Sequence, residues 1–186
     1  QAYLAQGMTD IAVFEFFVRK LPPQRNFFMA AGLEQVVSYL EEFQFSDADI
    51  AWLDQTGGFS PASLNALRAM RFTGEVHAMP EGSLFFPHEP ILRITAPLPQ
   101  AQLVETRVMN LLNFQTMVAS KACRSVLVAG DKPLIDFGLR RAHGAEAGLL
   151  AARAAYLAGL AGTSNVSAGA RFGIPIDAVY KTLRLQ

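Results

Sequence analysis

The chain has 186 residues, 51% of them hydrophobic and only 17% charged, and its formal net charge is zero. A nucleic-acid groove needs a basic excess, so this balance argues against one, and the runs Arg19-Lys20 and Arg140-Arg141 are too short to supply it. An average soluble domain is about 25% charged, so the low charge predicts a chain that buries surface against a partner or under further polypeptide.

Cys123 is the only cysteine. An internal disulfide and a CxxC metal site are excluded, a reducing cytoplasm is the expected setting, and Cys123, in a helical stretch beside Ala122, reads as a small buried thiol rather than a nucleophile. No apolar run approaches the roughly 18 residues of a membrane span, because Arg153 interrupts the Ala/Leu-rich stretch 147–161. No secretory leader is visible, and the first residue is Gln1 rather than Met.

In chain order, Ile11 to Val18 is rich in β-formers and ends in Arg19-Lys20-Leu21-Pro22-Pro23, a strand followed by a loop. Leu33, Val36, Val37, Leu40 and Phe43 recur at helical spacing over about 31–43. Ser46 with Asp49 has the form of a capping box opening a helix through Trp52-Leu53, and Ser60-Pro61 opens another carrying Leu64, Leu67 and Met70. Residues 72–98 alternate short β-like runs with prolines. From Pro99 to about Ser125 the pattern is helical, and Gly130-Asp131-Lys132-Pro133 breaks it.

The rhythm then turns to β-α-β-α. Leu134 to Leu139 is a predicted strand, 145–158 a helix, Gly162 the end of a second short strand, and 165–172 a helix closed by Gly173. Such alternation implies parallel strands with crossovers. The expected fold class is therefore α/β, with a mixed α+β domain over 1–130, the start of an α/β barrel or open sheet over 131–176, and 177–186 unassigned.

The candidate site residues cluster where those strands run out. Phe137 offers a ring face to a planar ligand, or packs within a barrel. Arg140 and Arg141 can grip a phosphate or carboxylate, or pair on the surface with Glu146 or Asp136. Gly162, Thr163 and Ser164 lead into the last helix, where Thr163 or Ser164 can cap it and the free N–H groups can take an anion. Arg19 follows the first strand and reads from its neighbours as a solvated loop residue. His77, His88 and Glu89 lack metal-ligand spacing, so no metal site is expected from the protein itself.

Taken in order, Val13 to Lys20, Ala31-Gly-Leu-Glu34, Glu81-Gly82, Phe86 to Pro90, Glu105 to Gln115, Ala129 to Pro133, Asp136 to Ala142 and Gly162-Thr-Ser-Asn165 resemble the nicotinate phosphoribosyltransferase family. The resemblance runs over nearly the whole chain. It implies a type II phosphoribosyltransferase, with a quinolinate-phosphoribosyltransferase-like α/β sandwich domain followed by an irregular α/β barrel. It also implies a cytoplasmic head-to-tail homodimer with shared active sites. The implied reaction joins nicotinate to phosphoribosyl pyrophosphate, giving nicotinate mononucleotide and pyrophosphate for NAD salvage. Mg²⁺ accompanies the phosphates, and ATP hydrolysis drives the reaction through a phosphohistidine. The alternatives are a nicotinamide or quinolinate enzyme, or a non-catalytic ligand-binding relative.

By the same resemblance, Phe137 stacks on one side of the pyridine ring and a partner tyrosine from a TDxYxxT-like motif on the other. Arg140 holds the phosphate or the ring substituent, and Arg19 reaches a phosphate in the partner's site. Ser164 stands where the nicotinamide enzyme has Asp, which selects an anionic substrate over an amide. The tyrosine motif and the phospho-accepting histidine are not found in these 186 residues, so the catalytic histidine is unassigned. Asp177 to Lys181 resembles a segment that the family places further downstream.

Overall fold

A computed structural model describes residues 2–176. The unassigned 177–186 lie outside them. Strand β1 (Ile11–Phe16) pairs antiparallel with β5 (Leu92–Pro97), which pairs in turn with β3 (Glu75–Ala78), giving the order β1-β5-β3. The register is set by alternation: Leu92, Ile94 and Ala96 of β5 are buried while Arg93 stays out. Arg93 meets its cross-strand partner Glu15 through Nε and Nη2, at 2.9 and 2.7 Å from one carboxylate oxygen. Gly74 lets the chain enter β3, since a Cβ there would lie 2.6 Å from the Thr95 carbonyl oxygen.

Between β1 and β3 come β2 (Phe28–Met29) and helices α2 (Leu33–Glu41), α3 (Asp47–Gln55) and α4 (Pro61–Ala69), with the short α1 (Ala2–Ala5) at the start of the described chain. Both predicted N-terminal signals hold. The Ser46 hydroxyl accepts the Asp49 N–H while the Asp49 carboxylate accepts the Ser46 N–H, and Ser60 caps α4 ahead of Pro61. Ile50, Leu64 and Leu67 are buried together between α3 and α4, with Leu4, Phe45, Leu53, Phe59 and Met70 around them.

Residues divide into two compact units. The first comprises Gln1–Phe17, Glu34–Ala78 and Pro90–Asn110, the second Val18–Leu33, Met79–Glu89 and Leu111–Gln186. The long helix α5 (Leu98–Ala129) is thus shared between them, and the division passes through it rather than near residues 129–131. Among the described residues no helix is long and apolar enough to cross a membrane.

In the second unit β2 pairs antiparallel with β4 (Leu84–Phe85), and Phe28 stacks on Phe85 at 5.3 Å, both almost fully buried. Small residues let helices meet closely: Ala119 of α5 packs with Ala154 of helix α6 (Ala145–Leu157), with its C-cap residue Ala158 and with Ala31. Buried hydroxyls complete the contact, since Ser120 accepts the Met29 N–H at 2.9 Å and Thr116 the Ala31 N–H at 3.3 Å.

The polar centre of this unit is Glu81. Its Oε1 accepts N–H groups of Gly32 (2.5 Å) and Leu33 (3.1 Å), and both carboxylate oxygens meet the Arg153 guanidinium, at 2.9 and 2.7 Å. Arg153, which breaks the apolar run of α6, is 9% exposed. Burial pushes the Glu81 carboxyl up, but the hydrogen bonds and charge of Arg153 with the two N–H groups outweigh it and hold the carboxyl below its ordinary 4.5.

Replacing Glu81 by Ala strands a buried guanidinium, so urea unfolding is expected to show a loss of about 3–5 kcal/mol. Because the folded pKa is depressed, the Glu81 contribution is present above the unfolded pKa and lost as pH falls through the folded one. Unfolding midpoints measured from pH 7 downward should therefore fall less steeply in Glu81→Gln, which starts from a lower midpoint.

Candidate active-site rim

Strand β6 (Ile135–Asp136) runs parallel to β7 (Gly162–Thr163), with Ile135 opposite Gly162 and Asp136 opposite Thr163. The Ala161 N–H donates to the Leu134 carbonyl and the Ser164 N–H to the Asp136 carbonyl, each at 2.8 Å. On the other side of β7 the Thr163 N–H donates to the Pro175 carbonyl at 3.0 Å. That approach demands Gly162, where a Cβ would lie 2.6 Å from the Pro175 oxygen.

Asp136 ties the two strand ends together. Its Oδ1 accepts the Gly138 N–H at 2.9 Å, and its Oδ2 accepts the Thr163 hydroxyl at 2.7 Å. The Thr163 oxygen in turn accepts the Asn165 N–H at 3.0 Å. Thr163 is fully buried with its hydroxyl engaged in both directions, so this side chain serves the architecture of the rim.

Two expectations change here. The strand predicted to reach Leu139 ends at Asp136, because the side-chain acceptance of the Gly138 N–H turns the backbone away from the ladder. A single 3₁₀ turn, Leu139–Arg141, follows, closed by the Arg141 N–H on the Gly138 carbonyl at 2.8 Å. Gly148 of α6 leaves room for the Leu139 side chain in that turn. The cap of helix α7 (Val166–Phe172) is Asn165 rather than Thr163 or Ser164, its Oδ1 accepting the Ala168 N–H at 3.2 Å. Thr163 is already committed to Asp136, which frees the next polar residue to cap.

Phe137 and Ser164 directly follow the paired residues Asp136 and Thr163, on strands about 4.8 Å apart. The backbone thus delivers an aromatic ring and a hydroxyl to neighbouring positions at one edge. Phe137 is 54% exposed and Ser164 half-buried. Arg140 and Arg141 lie in the 3₁₀ turn three and four residues on, and both are exposed. Arg19, in the loop between β1 and β2, is exposed and takes no part in the hydrogen bonds that build the rim. An apolar cleft of about 540 Å³ flanked by Arg25 and Lys121 lies instead against Leu134, Ile135 and α5, toward the beginning of β6.

Sequence reasoning treated Asp136 only as a possible salt-bridge partner. The signal that identifies it is the Asp-x-Gly spacing, in which a carboxylate accepts the N–H two residues on. Asp136→Ala leaves a buried Thr163 hydroxyl without its acceptor. With Thr163→Val it should form a non-additive pair, with a coupling of about 1–3 kcal/mol read by a double-mutant cycle in urea.

The family model for the nicotinate phosphoribosyltransferase N-terminal domain matches residues 1–113. A nicotinate phosphoribosyltransferase of Mycobacterium tuberculosis is 51% identical over 94% of the chain and 38% of its own length. The corresponding protein of Bacillus subtilis is 44% identical over 91% and 34%. The crystal structure of human nicotinic acid phosphoribosyltransferase superposes with a TM-score of 0.86 at 40% identity, covering 94% of this chain and 36% of that one. The chain thus spans about a third to two-fifths of the length of the relatives it matches. With this mixed helix-and-strand architecture and these relatives, the chain belongs to the nicotinate phosphoribosyltransferase family.

Proposed function

We propose that this chain carries part of the substrate site of an ATP-dependent nicotinate phosphoribosyltransferase, which joins nicotinate to phosphoribosyl pyrophosphate and releases pyrophosphate and nicotinate mononucleotide. The observation that carries the reading is the pairing of Asp136 with Thr163, after which Phe137 and Ser164 are the next residues of the two adjacent parallel strands. The carboxyl ends of such strands are where α/β folds bind their ligands.

In this reading the exposed Phe137 ring stacks on the pyridine ring, and the Ser164 hydroxyl donates to the nicotinate carboxylate. Arg140 and Arg141 balance the charge of the carboxylate or the ribose phosphate. Arg19 serves a phosphate of the partner's site in a homodimer. The chemistry asks for alignment: the pyridine nitrogen attacks the anomeric carbon as pyrophosphate leaves through an oxocarbenium-like state. In this reading Mg²⁺ accompanies the substrate's phosphate oxygens. The histidine that would take phosphate from ATP is not assigned to this chain.

Incubation of the full-length protein that carries this chain with labelled nicotinate and phosphoribosyl pyrophosphate, with and without ATP, tests the reading directly. Labelled mononucleotide supports it, and no product under either condition defeats it.

Ser164 is the residue on which substrate choice turns. A carboxylate in its place repels nicotinate by about 1 kcal/mol at 4 Å even in water, and by more once water is excluded. Ser164→Asp is therefore expected to lower kcat/KM for nicotinate by at least about tenfold and to raise the relative use of nicotinamide. Parallel assays with both substrates measure it.

A further inference from the structure

A second pocket lies in the first unit, where the end of α2, the linker that follows and α3 come together. It is about 490 Å³ in volume and is walled by Tyr39, Phe43, Phe45 and Trp52, with the carboxylate residues Glu42 and Asp49 at its lining. We propose that this pocket binds a small quaternary-ammonium cation.

The rings have the geometry such a ligand needs. Tyr39 and Phe43, one helical turn apart, meet edge to face at 5.9 Å and 77°, and Phe43 meets Phe45 at 5.9 Å and 74°. Successive near-perpendicular rings make corners whose faces can surround a compact cation rather than a flat stack that would clamp a planar one. Trp52, whose indole is the best of the cation-attracting rings, is 64% exposed although it stands beside this cluster. The capping box fixes the start of α3, so Asp49 and Trp52 project from one face at i and i+3.

Charge points the same way. The whole chain is neutral, yet from Asn26 to Leu67 there is no Lys, Arg or His, while Glu34, Glu41, Glu42, Asp47, Asp49 and Asp54 all fall in that span. The aromatic pocket is therefore built on the acidic stretch of a neutral protein, with the Arg107 charge of α5 acting on its wall at Tyr39. Asp47 meets Arg68 just beyond the span, at 3.6 Å. Ser46 gives both its N–H and its hydroxyl to Asp49, which leaves that residue anionic at the pocket wall. A purely apolar occupant has no use for the two carboxylates, and a simple inorganic cation has no use for four rings.

Choline is the probe, and its uncharged isostere 3,3-dimethylbutan-1-ol is the control. Trp52 is the only tryptophan of the 186 residues, so its emission, subtracted against Trp52→Phe, follows occupancy, and calorimetry gives an independent reading. Saturable choline binding is expected in the millimolar range, absent for the isostere. It should weaken about tenfold in Trp52→Leu and a few-fold in Glu42→Gln, with unfolding curves of both variants showing an intact fold. Equal binding of the isostere, no saturation by choline, or binding indifferent to Trp52→Leu in a folded protein overturns the proposal. Phosphoribosyl transfer plays no part in this test, so its result is independent of the function assigned to the rim.

Discussion

The carboxylate of Glu81 joins three otherwise separate pieces of chain in the second unit. It gathers the N–H groups of Gly32 and Leu33 and a buried guanidinium from α6. Each of these donors would be costly to bury alone. Placed together on one anion, they fix the loop 79–89 and the end of the 18–33 segment against the helix that backs the β6–β7 pair. Around that centre the packing relies on small side chains. Ala31, Ala119, Ala154 and Ala158 allow close approach of backbones, and an ion pair placed without that tight fit would admit water and lose most of its strength.

The rim depends on the same economy at smaller scale. One carboxylate, Asp136, makes an Asp-x-Gly turn with one oxygen and holds a buried threonine hydroxyl with the other. The outcome is positional. Phe137 leaves the strand exposed, the following residues wind into a single 3₁₀ turn that presents Arg140 and Arg141, and the Ser164 N–H is pinned to the Asp136 carbonyl. The residues that look functional are mostly exposed, and the residues that look ordinary hold them in place.

The acidic stretch from Asn26 to Leu67 shows how a net charge of zero can hide a strongly uneven distribution. Net charge bounds long-range attraction to polyanions. It does not describe the local field at a pocket a few ångströms across. Phe43 falls at helix-face spacing in the sequence and is buried, but Trp52 of the same pocket stands largely in water.

Local chemistry was legible wherever one short segment carries its own instruction. The capping box at Ser46 and Asp49, the proline start of α4, the glycine end of α7 and the alternation of β5 all depend on neighbours within four residues. The order of helices and strands, and the family motifs around Phe137 and Ser164, could be read for the same reason. The Glu81–Arg153 pair could not, because its partners are 72 residues apart and neither position shows a pattern until α6 buries the guanidinium. The cap at Asn165 was likewise decided by a hydrogen bond between residues 27 apart, which took Thr163 out of the local competition. Short-range hydrogen bonds are written in spacing along the chain, whereas the partner of a buried charge or hydroxyl is chosen only when distant segments meet and water is excluded.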